Sequence, residues 1–508
     1  MDQKSLSMGV IRFLLPRQEL ENWPDVDRAF LGDAEGRVEV AQISRVGNEL
    51  VCERSSSSST RLFIASPIPG LGRPILNTTN LCERDESYHL VVELARGRLA
   101  QIRNLTEHWK QSGVAISQSL LQELDRAHEN LRHATCLASN PEKLDECGAA
   151  ALRAALFVSE RLMATFIRQK LADRRERTAH LPNMLSCPLK GLRPGAGWER
   201  SYLAAMTAAK ISVEWALVES QQGEYDWTLA DNQIDFAEEN RVMAIGGPLL
   251  DFRPGGFPAW LGDWCEDYWS FQSFVSDFVE TAIKRYAGRI RLWEIAAGPN
   301  MTFDNQLDEE FRLALTAKAL EVAREADEQI ELSLRVVQPW GEYQRFGRDR
   351  LSPRQFAEAL IRSGAGLSSV NLEIAVGFHP NGSDYRDRFE LGRLLESWAT
   401  LGVPLTISLA FPSQSDSESL ADSWIEITEP QWKTPWSEAA QAEWMADVLP
   451  LLMANRSVFG IEWIHFGDGV SHRFPHAGLT RADGSGKMIL ERLTRFRQSY
   501  WERSTSDG

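Results

Sequence analysis

Three spacings of hydrophobic and polar positions follow one another along the 508 residues. Up to about Glu93, short apolar runs at 10–15, 38–43, 49–52 and 60–65 alternate with turn residues. The punctuation is Gly32-Asp33, Gly47-Asn48, the serines of 55–59 and Pro67-Ile68-Pro69-Gly70. Such runs predict a small antiparallel β domain over residues 1–93, with Phe13, Trp23, Phe30 and Phe63 in its core. Residues 88–94 either close this domain or open the next helix. Beyond Leu94 the period lengthens: Leu120, Leu121, Leu124, Ala127, Leu131 and Ala134 recur at helical spacing, and 149–172 is rich in Ala, Leu and Met. Two long helices parting near Ser139-Asn140-Pro141 are predicted, a helical hairpin connecting the flanking units over 94–180.

From about residue 185 to 500, strand-like and helix-like segments alternate. Candidate strands lie at 243–247, 291–296, 331–337, 372–376, 404–409 and 460–465, with helix-like stretches such as 271–286 and 309–326 between them. Repeated units of this length indicate an α/β fold, either a barrel or a doubly wound sheet. No G-x-G-x-x-G or phosphate-loop pattern follows a strand, which disfavours a nucleotide-binding sheet.

A net charge of −16 argues against a nucleic-acid surface and against an anionic membrane surface. Residues 1–5 lack the apolar core of an export signal and no later run is long enough to span a bilayer, so cytoplasmic residence is expected. The six cysteines are scattered without a C-x-x-C pair. No H-x-x-x-H or H-E-x-x-H helix is present either, so neither a metal site nor a cofactor is expected. Composition leaves the oligomeric state open.

Several separated segments of the last zone resemble glycoside hydrolase family 10, the β-1,4-xylanases. Glu214-Trp215, Gly223-Glu224-Tyr225-Asp226-Trp227 and Phe236-Ala237 are similar to the family's opening. Gly246-Gly247-Pro248 with Pro258 and Trp260 is similar to the stretch after its third strand. Arg285-Tyr286-Ala287-Gly288, with Trp293-Glu294, is similar to its R-Y-x-G-x-I-x-x-W-D-V-x-N-E segment, and Gly402-Val403-Pro404 to Leu409 to its G-x-P-I-x-I-T-E segment. The resemblance implies a (β/α)8 TIM barrel with its site at the carboxyl ends of the strands.

It also implies that Gly298 stands at the general acid's position and Leu409 at the nucleophile's, on neighbouring strands and facing each other across the mouth. Neither can transfer a proton or form a glycosyl ester. Alternation along the strands places Glu294 on the same side as residue 298, one layer deeper. Glu294, Glu462, Glu214 and Asp251 are therefore candidates for a relocated catalytic set, two of which would lie about 5–10 Å apart in an open cleft. The competing reading makes Glu294 and Glu462 hydrogen-bonded inner-layer carboxylates. Of the 17 tryptophans, Trp215, Trp227 and Trp293 read as packing. Trp260, Trp340, Trp432 and Trp436, with Tyr343, His379 and His465, are candidates to hold a sugar by stacking and hydrogen bonds. The expected partner is thus a glycan, bound by a barrel lacking ordinary two-glutamate hydrolysis. The alternatives are an active glycosidase with relocated carboxylates and a non-catalytic scaffold.

Overall fold

The computed structural model describes residues 9–16, 25–33, 36–111, 113–137, 140–177, 183–265, 267–303 and 307–501. Trp23 and Ser139 lie outside the described residues.

The N-terminal runs form two four-stranded sheets. In one, Glu49–Arg54 lies between Ala41–Val46 and Gly9–Leu14, antiparallel to both, and Tyr88–His89 joins Gly9–Leu14 in parallel. In the other, Phe30–Gly32 lies between Val38–Glu39 and Arg61–Ala65, and Ile75–Asn77 pairs with the far side of Arg61–Ala65. Alternation sends Ile11, Phe13, Leu50, Cys52, Leu62 and Ile64 into a shared core. Phe30 is buried as expected, whereas Phe63 is only half-buried and stacks on it at 4.8 Å. Residues 88–94 do both things expected of them: the strand ends at His89 and a helix begins at Leu90.

The helical stretch differs from the expected pair. It comprises three helices: α1 (Leu90–Gln111), α2 (Gln118–Thr135) and α3 (Pro141–Arg177). α1 is hard to see in the sequence because its buried face carries Glu93, Gly97 and Arg98 among the apolar residues. Gly97 is required by close approach, since a Cβ there would sit 2.2 Å from the Asn77 carbonyl oxygen. Arg98 reaches Asp387 at 2.9 Å. Asp387 also caps the barrel helix Arg388–Ala399, accepting a bond from the Glu390 amide. This buried ion pair joins α1 to the barrel, Leu162, Met163 and Ile167 of α3 share the barrel's apolar core, and Ala151, Leu152 and Leu156 of α3 seal the N-terminal sheet core.

Eight parallel strands follow: β1 (Met184–Pro188), β2 (Ala208–Ile211), β3 (Met243–Gly246), β4 (Leu292–Ala297), β5 (Glu331–Val337), β6 (Leu367–Ala375), β7 (Leu405–Ala410) and β8 (Val458–Trp463). Each pairs with the next, and β8 returns to β1, so the sheet closes. Helices cover the outside, as the alternation of strand and helix predicted. Several are capped by Asp or Ser, including a Ser352–Gln355 capping box with Pro353 in the first turn. The barrel floor is apolar, formed by Met184, Ala208 and Ile245 with Leu292. Among the described residues no helix is long and apolar enough to cross a membrane.

Candidate functional site at the barrel mouth

Above that floor the inward positions turn polar. Lys210 on β2, Glu294 on β4, Arg335 on β5, Asn371 and Glu373 on β6, Ser408 on β7 and Glu462 on β8 are all buried. Lys210 Nζ lies 2.9 Å from an oxygen of Glu294 and 2.9 Å from one of Glu462. The Arg335 guanidinium contacts Glu294 at 2.9 Å and Glu373 at 3.2 Å, and also pairs with Glu462. Asn371 donates to Glu294 at 2.7 Å, and the Ser408 hydroxyl lies 3.0 Å from Glu462.

At the rim, the short strand Leu250–Asp251 extends the line of β3 along β4. Arg253 grips Asp251 with two bonds of 2.7 and 2.8 Å and reaches Glu373 at 2.7 Å. Arg473 adds a third contact to Asp251 at 3.1 Å. Three arginines and a lysine thus face four carboxylates, and formal charge balances.

Electrostatics follow from this balance. Burial opposes ionisation of Glu462, but Arg335 and Lys210 outweigh it and bring its pKa down to about 2. Burial likewise opposes ionisation of Asp251, and Arg253 and Arg473 still hold it well below the usual carboxylate range. Glu214, at the edge of the same mouth, moves the other way, raised by burial. Because Glu462 sits below its ordinary value of 4.5, it contributes stability above that pH and loses it as the pH falls toward 2. The wild-type protein should therefore lose a few kcal/mol relative to Glu462→Gln across that window, which urea titrations at stepped pH would measure.

The structure corrects the expected geometry of Gly298 and Leu409. They are not on neighbouring strands, because β5 and β6 lie between β4 and β7. Nor does residue 298 share the side of Glu294. The β4–β5 register shifts between Glu294 and Ala296, so the extra residue Ile295 breaks the alternation and Ala297, paired with Arg335, becomes the next inward position. Gly298 itself has φ +71°, and a Cβ there would lie 3.2 Å from the Arg253 side chain. On β7 the inward residue is Ser408. Leu409 belongs with Leu405 and Ile407 to the apolar layer between barrel and helices.

The relocated-site candidates do gather: Glu294 and Glu462 share one ammonium group, Asp251 lies above them, and Glu214 lines the rim. Among the described residues the space around them is a small cavity rather than the open cleft expected. The cavity at the mouth is about 60 Å3, room for about two waters at ~30 Å3 each. Pockets that enclose ligands run to about 300–1,000 Å3.

Most of the proposed sugar platform is packing. Trp432 is buried edge-on against Tyr385 and Phe411, and the buried Trp436 ring donates to the Thr428 carbonyl at 2.7 Å. Tyr343 is buried, its hydroxyl meeting Asn300 at 3.2 Å. Trp260 is half-buried, bonded to the Glu219 carbonyl and packed on Trp215. His379 is exposed on a two-strand ribbon with Glu426–Ile427, and His465 is buried beside the mouth. Trp340 differs. It lines a cavity of about 370 Å3 between the N-terminal sheet and the barrel, together with Phe30, Phe63, Arg386, Glu390 and Arg393.

Sequence reasoning passed over Lys210, Arg253, Arg335, Glu373 and Arg473, the residues that decide the character of the mouth. A signal existed for two of them, since Arg335 and Glu373 each sit as a lone charge inside an apolar strand run.

Residues 201–335 match the family model described as glycosyl hydrolase family 10. The barrel is family 10-like. The chain is 27% identical over 124 residues to endo-1,4-beta-xylanase 3 of Hypocrea jecorina, spanning 23% of this chain and 34% of that protein. It is 24% identical over 90 residues to endo-1,4-beta-xylanase 5-like of Arabidopsis thaliana, spanning 18% and 16% of the two. The match thus spans about a third or less of these curated relatives. Among solved structures, native xylanase 10B from Thermotoga maritima superposes with a TM-score of 0.48 at 17% identity, over 64% of this chain and 98% of that one. Xylanase 10B from Thermotoga petrophila RKU-1 in complex with xylobiose gives 0.47 at 17%, over 64% and 96%. The sequence match ends at Arg335, so the loops after β5 to β8 that complete this family 10-like mouth lie beyond it.

Proposed function

We propose that this family 10-like barrel is a carbohydrate-metabolism protein that does not cleave glycosidic bonds by the two-carboxylate route and instead holds a glycan. One observation carries the reading: Glu294 and Glu462 are locked between Lys210 and Arg335 in a mouth with a cavity of about 60 Å3. A retaining pair needs one carboxyl that keeps its proton near neutral pH and one free to attack carbon. Here Glu462 is held ionised, and both carboxylates spend their oxygens on cations. The inward residues at the ends of β4 and β7 are Ala297, Ser408 and Ala410, so the missing acids do not depend on reading Gly298 and Leu409 in a single register.

The 370 Å3 cavity around Trp340 is the better place for a sugar, being of ligand size and combining aromatic faces with arginine and glutamate. Purified protein should give no turnover of aryl β-xyloside, aryl β-glucoside or xylan. Xylo-oligosaccharide binding by calorimetry should fall at least about tenfold in Trp340→Ala, the loss of about 1.4 kcal/mol. Turnover that Glu294→Gln or Glu462→Gln abolishes would overturn the reading and restore the relocated-site alternative.

A further inference from the structure

A second cluster borders the mouth, outside the ion network, on the loops after β7 and β8. His465 and Asp468 follow β8, His472 and His476 come next, and Glu418 arrives from the loop after β7. The ligand atoms of His465, Asp468 and His472 all lie within 4.8 Å of one another, as do those of Glu418, Asp468 and His476. From this arrangement we propose that the loops after β7 and β8 form a binding site for one divalent transition-metal ion, zinc being the first choice.

Three observations support it. His465 is 5% exposed, yet among the described residues neither ring nitrogen has a well-formed hydrogen bond; Asp468 Oδ1 lies 3.4 Å from Nε2, and the ring stacks on His472 at 4.3 Å. Buried polar groups are normally satisfied, and a histidine with both nitrogens orphaned calls for a ligand. His472 is already oriented as metal ligands are: its Nδ1 meets the Val470 carbonyl at 2.7 Å, which directs Nε2 at the cluster. That Nε2 hydrogen-bonds Glu418 Oε2 at 3.0 Å through a proton that an ion would displace, and the two atoms stand close to the ~3.3 Å edge of a tetrahedron with bonds of about 2.0 Å.

The surroundings suit a dication. Asp468 Oδ1 accepts from the Gly478 amide at 2.7 Å and Oδ2 pairs with the buried Lys487 at 2.5 Å, which fixes the carboxylate. Asp468 and Glu418 against Lys487 leave one net negative charge. Nitrogen and carboxylate ligands together fit zinc and its neighbours better than calcium or magnesium, which take oxygen alone. His465 and His472 both line the small mouth cavity, which provides access and leaves room for water on the ion. The spacing H-x-x-D-x-x-x-H-x-x-x-H from 465 to 476 went unread because it lies on a loop, where no helical periodicity brings it together.

The test uses the tag-free full chain stripped with a chelator and titrated with Co2+, followed by Zn2+ competition. One equivalent of Co2+ should bind with visible d–d bands of a nitrogen- and oxygen-ligated ion, and Zn2+ should displace it and raise Tm. His465→Phe keeps a ring to stack on His472 and gives up only the 3.4 Å contact to Asp468, so the metal-free variant should keep the wild-type circular dichroism spectrum and a Tm within a few degrees of wild type. It should nonetheless lose at least the roughly 10–100-fold in affinity that an outer-shell partner is worth, and Zn2+ should no longer raise its Tm. His472→Gln should do the same should His465→Phe fail to fold. Absence of a saturable Co2+ band, or a band unchanged in these variants, overturns the site.

Discussion

Replacing Arg335 with Met should destabilise the protein by about 3–5 kcal/mol, the loss that follows when one partner of a buried ion pair is removed. The effect belongs at the upper end, because Arg335 is nearly fully buried and serves Glu294, Glu373 and Glu462 at once. Met fills most of the volume but neutralises none of the three carboxylates. Lys210 still holds Glu294 and Glu462, and Arg253 still holds Glu373, so the network weakens without vanishing. Urea unfolding at neutral pH reads the loss as a lower midpoint. Adding Glu462→Gln to Arg335→Met should recover part of it, because the double variant buries one fewer unpaired charge; the cycle then isolates the coupling. Equal losses in the single and double variants would mean that the mouth is hydrated and the pairs are worth little.

Leu409→Glu should be worse still, a loss above about 4 kcal/mol with little folded protein recovered. Restoring a glutamate where the family resemblance places the nucleophile looks like a repair. In this barrel the side chain at 409 lies in the apolar layer with Ile407, Phe411 and Trp463, where a carboxylate would be buried among apolar side chains. Circular dichroism melts and soluble yield check the expectation. A well-folded Leu409→Glu protein would show that β7 is turned the other way, with residue 409 toward the axis. Together the two variants separate a structural ionic core from a dormant active site.

The parts of this protein legible in the sequence are those that rest on local periodicity. Runs of two-residue alternation between turn residues give the N-terminal sheets, because each strand needs only its own pleat to bury one face. The βα repeat gives the barrel, and separated short segments give its family 10-like character, matched again over residues 201–335. Burial of Trp215 and Trp293 was readable for the same reason. Helix α1 was not, because Glu93 and Arg98 interrupt its apolar face: Glu93 is held locally by Arg96, but Arg98 becomes tolerable only once it meets Asp387 nearly three hundred positions away.

The site was only half legible. Glu294, Glu462, Glu214 and Asp251 could be named one by one as inward or strand-end acids, and they do converge. Their meaning depended on Arg253, two residues past Asp251, and on Lys210, Arg335 and Arg473, which closure of the barrel brings from three other segments. A carboxylate is a catalyst or a fixed counter-ion according to its neighbours within a few ångströms, and no spacing rule encodes neighbours so far apart in sequence. The bulge at Ile295 made the same point for Gly298: one extra residue reversed the side, and only pairing with β5 reveals it. By itself the sequence determined the barrel architecture, because that is carried by residue type and local period. Whether the remaining acids are free to act was decided by tertiary structure alone, since charge compensation and cavity volume are properties of segments brought together by folding.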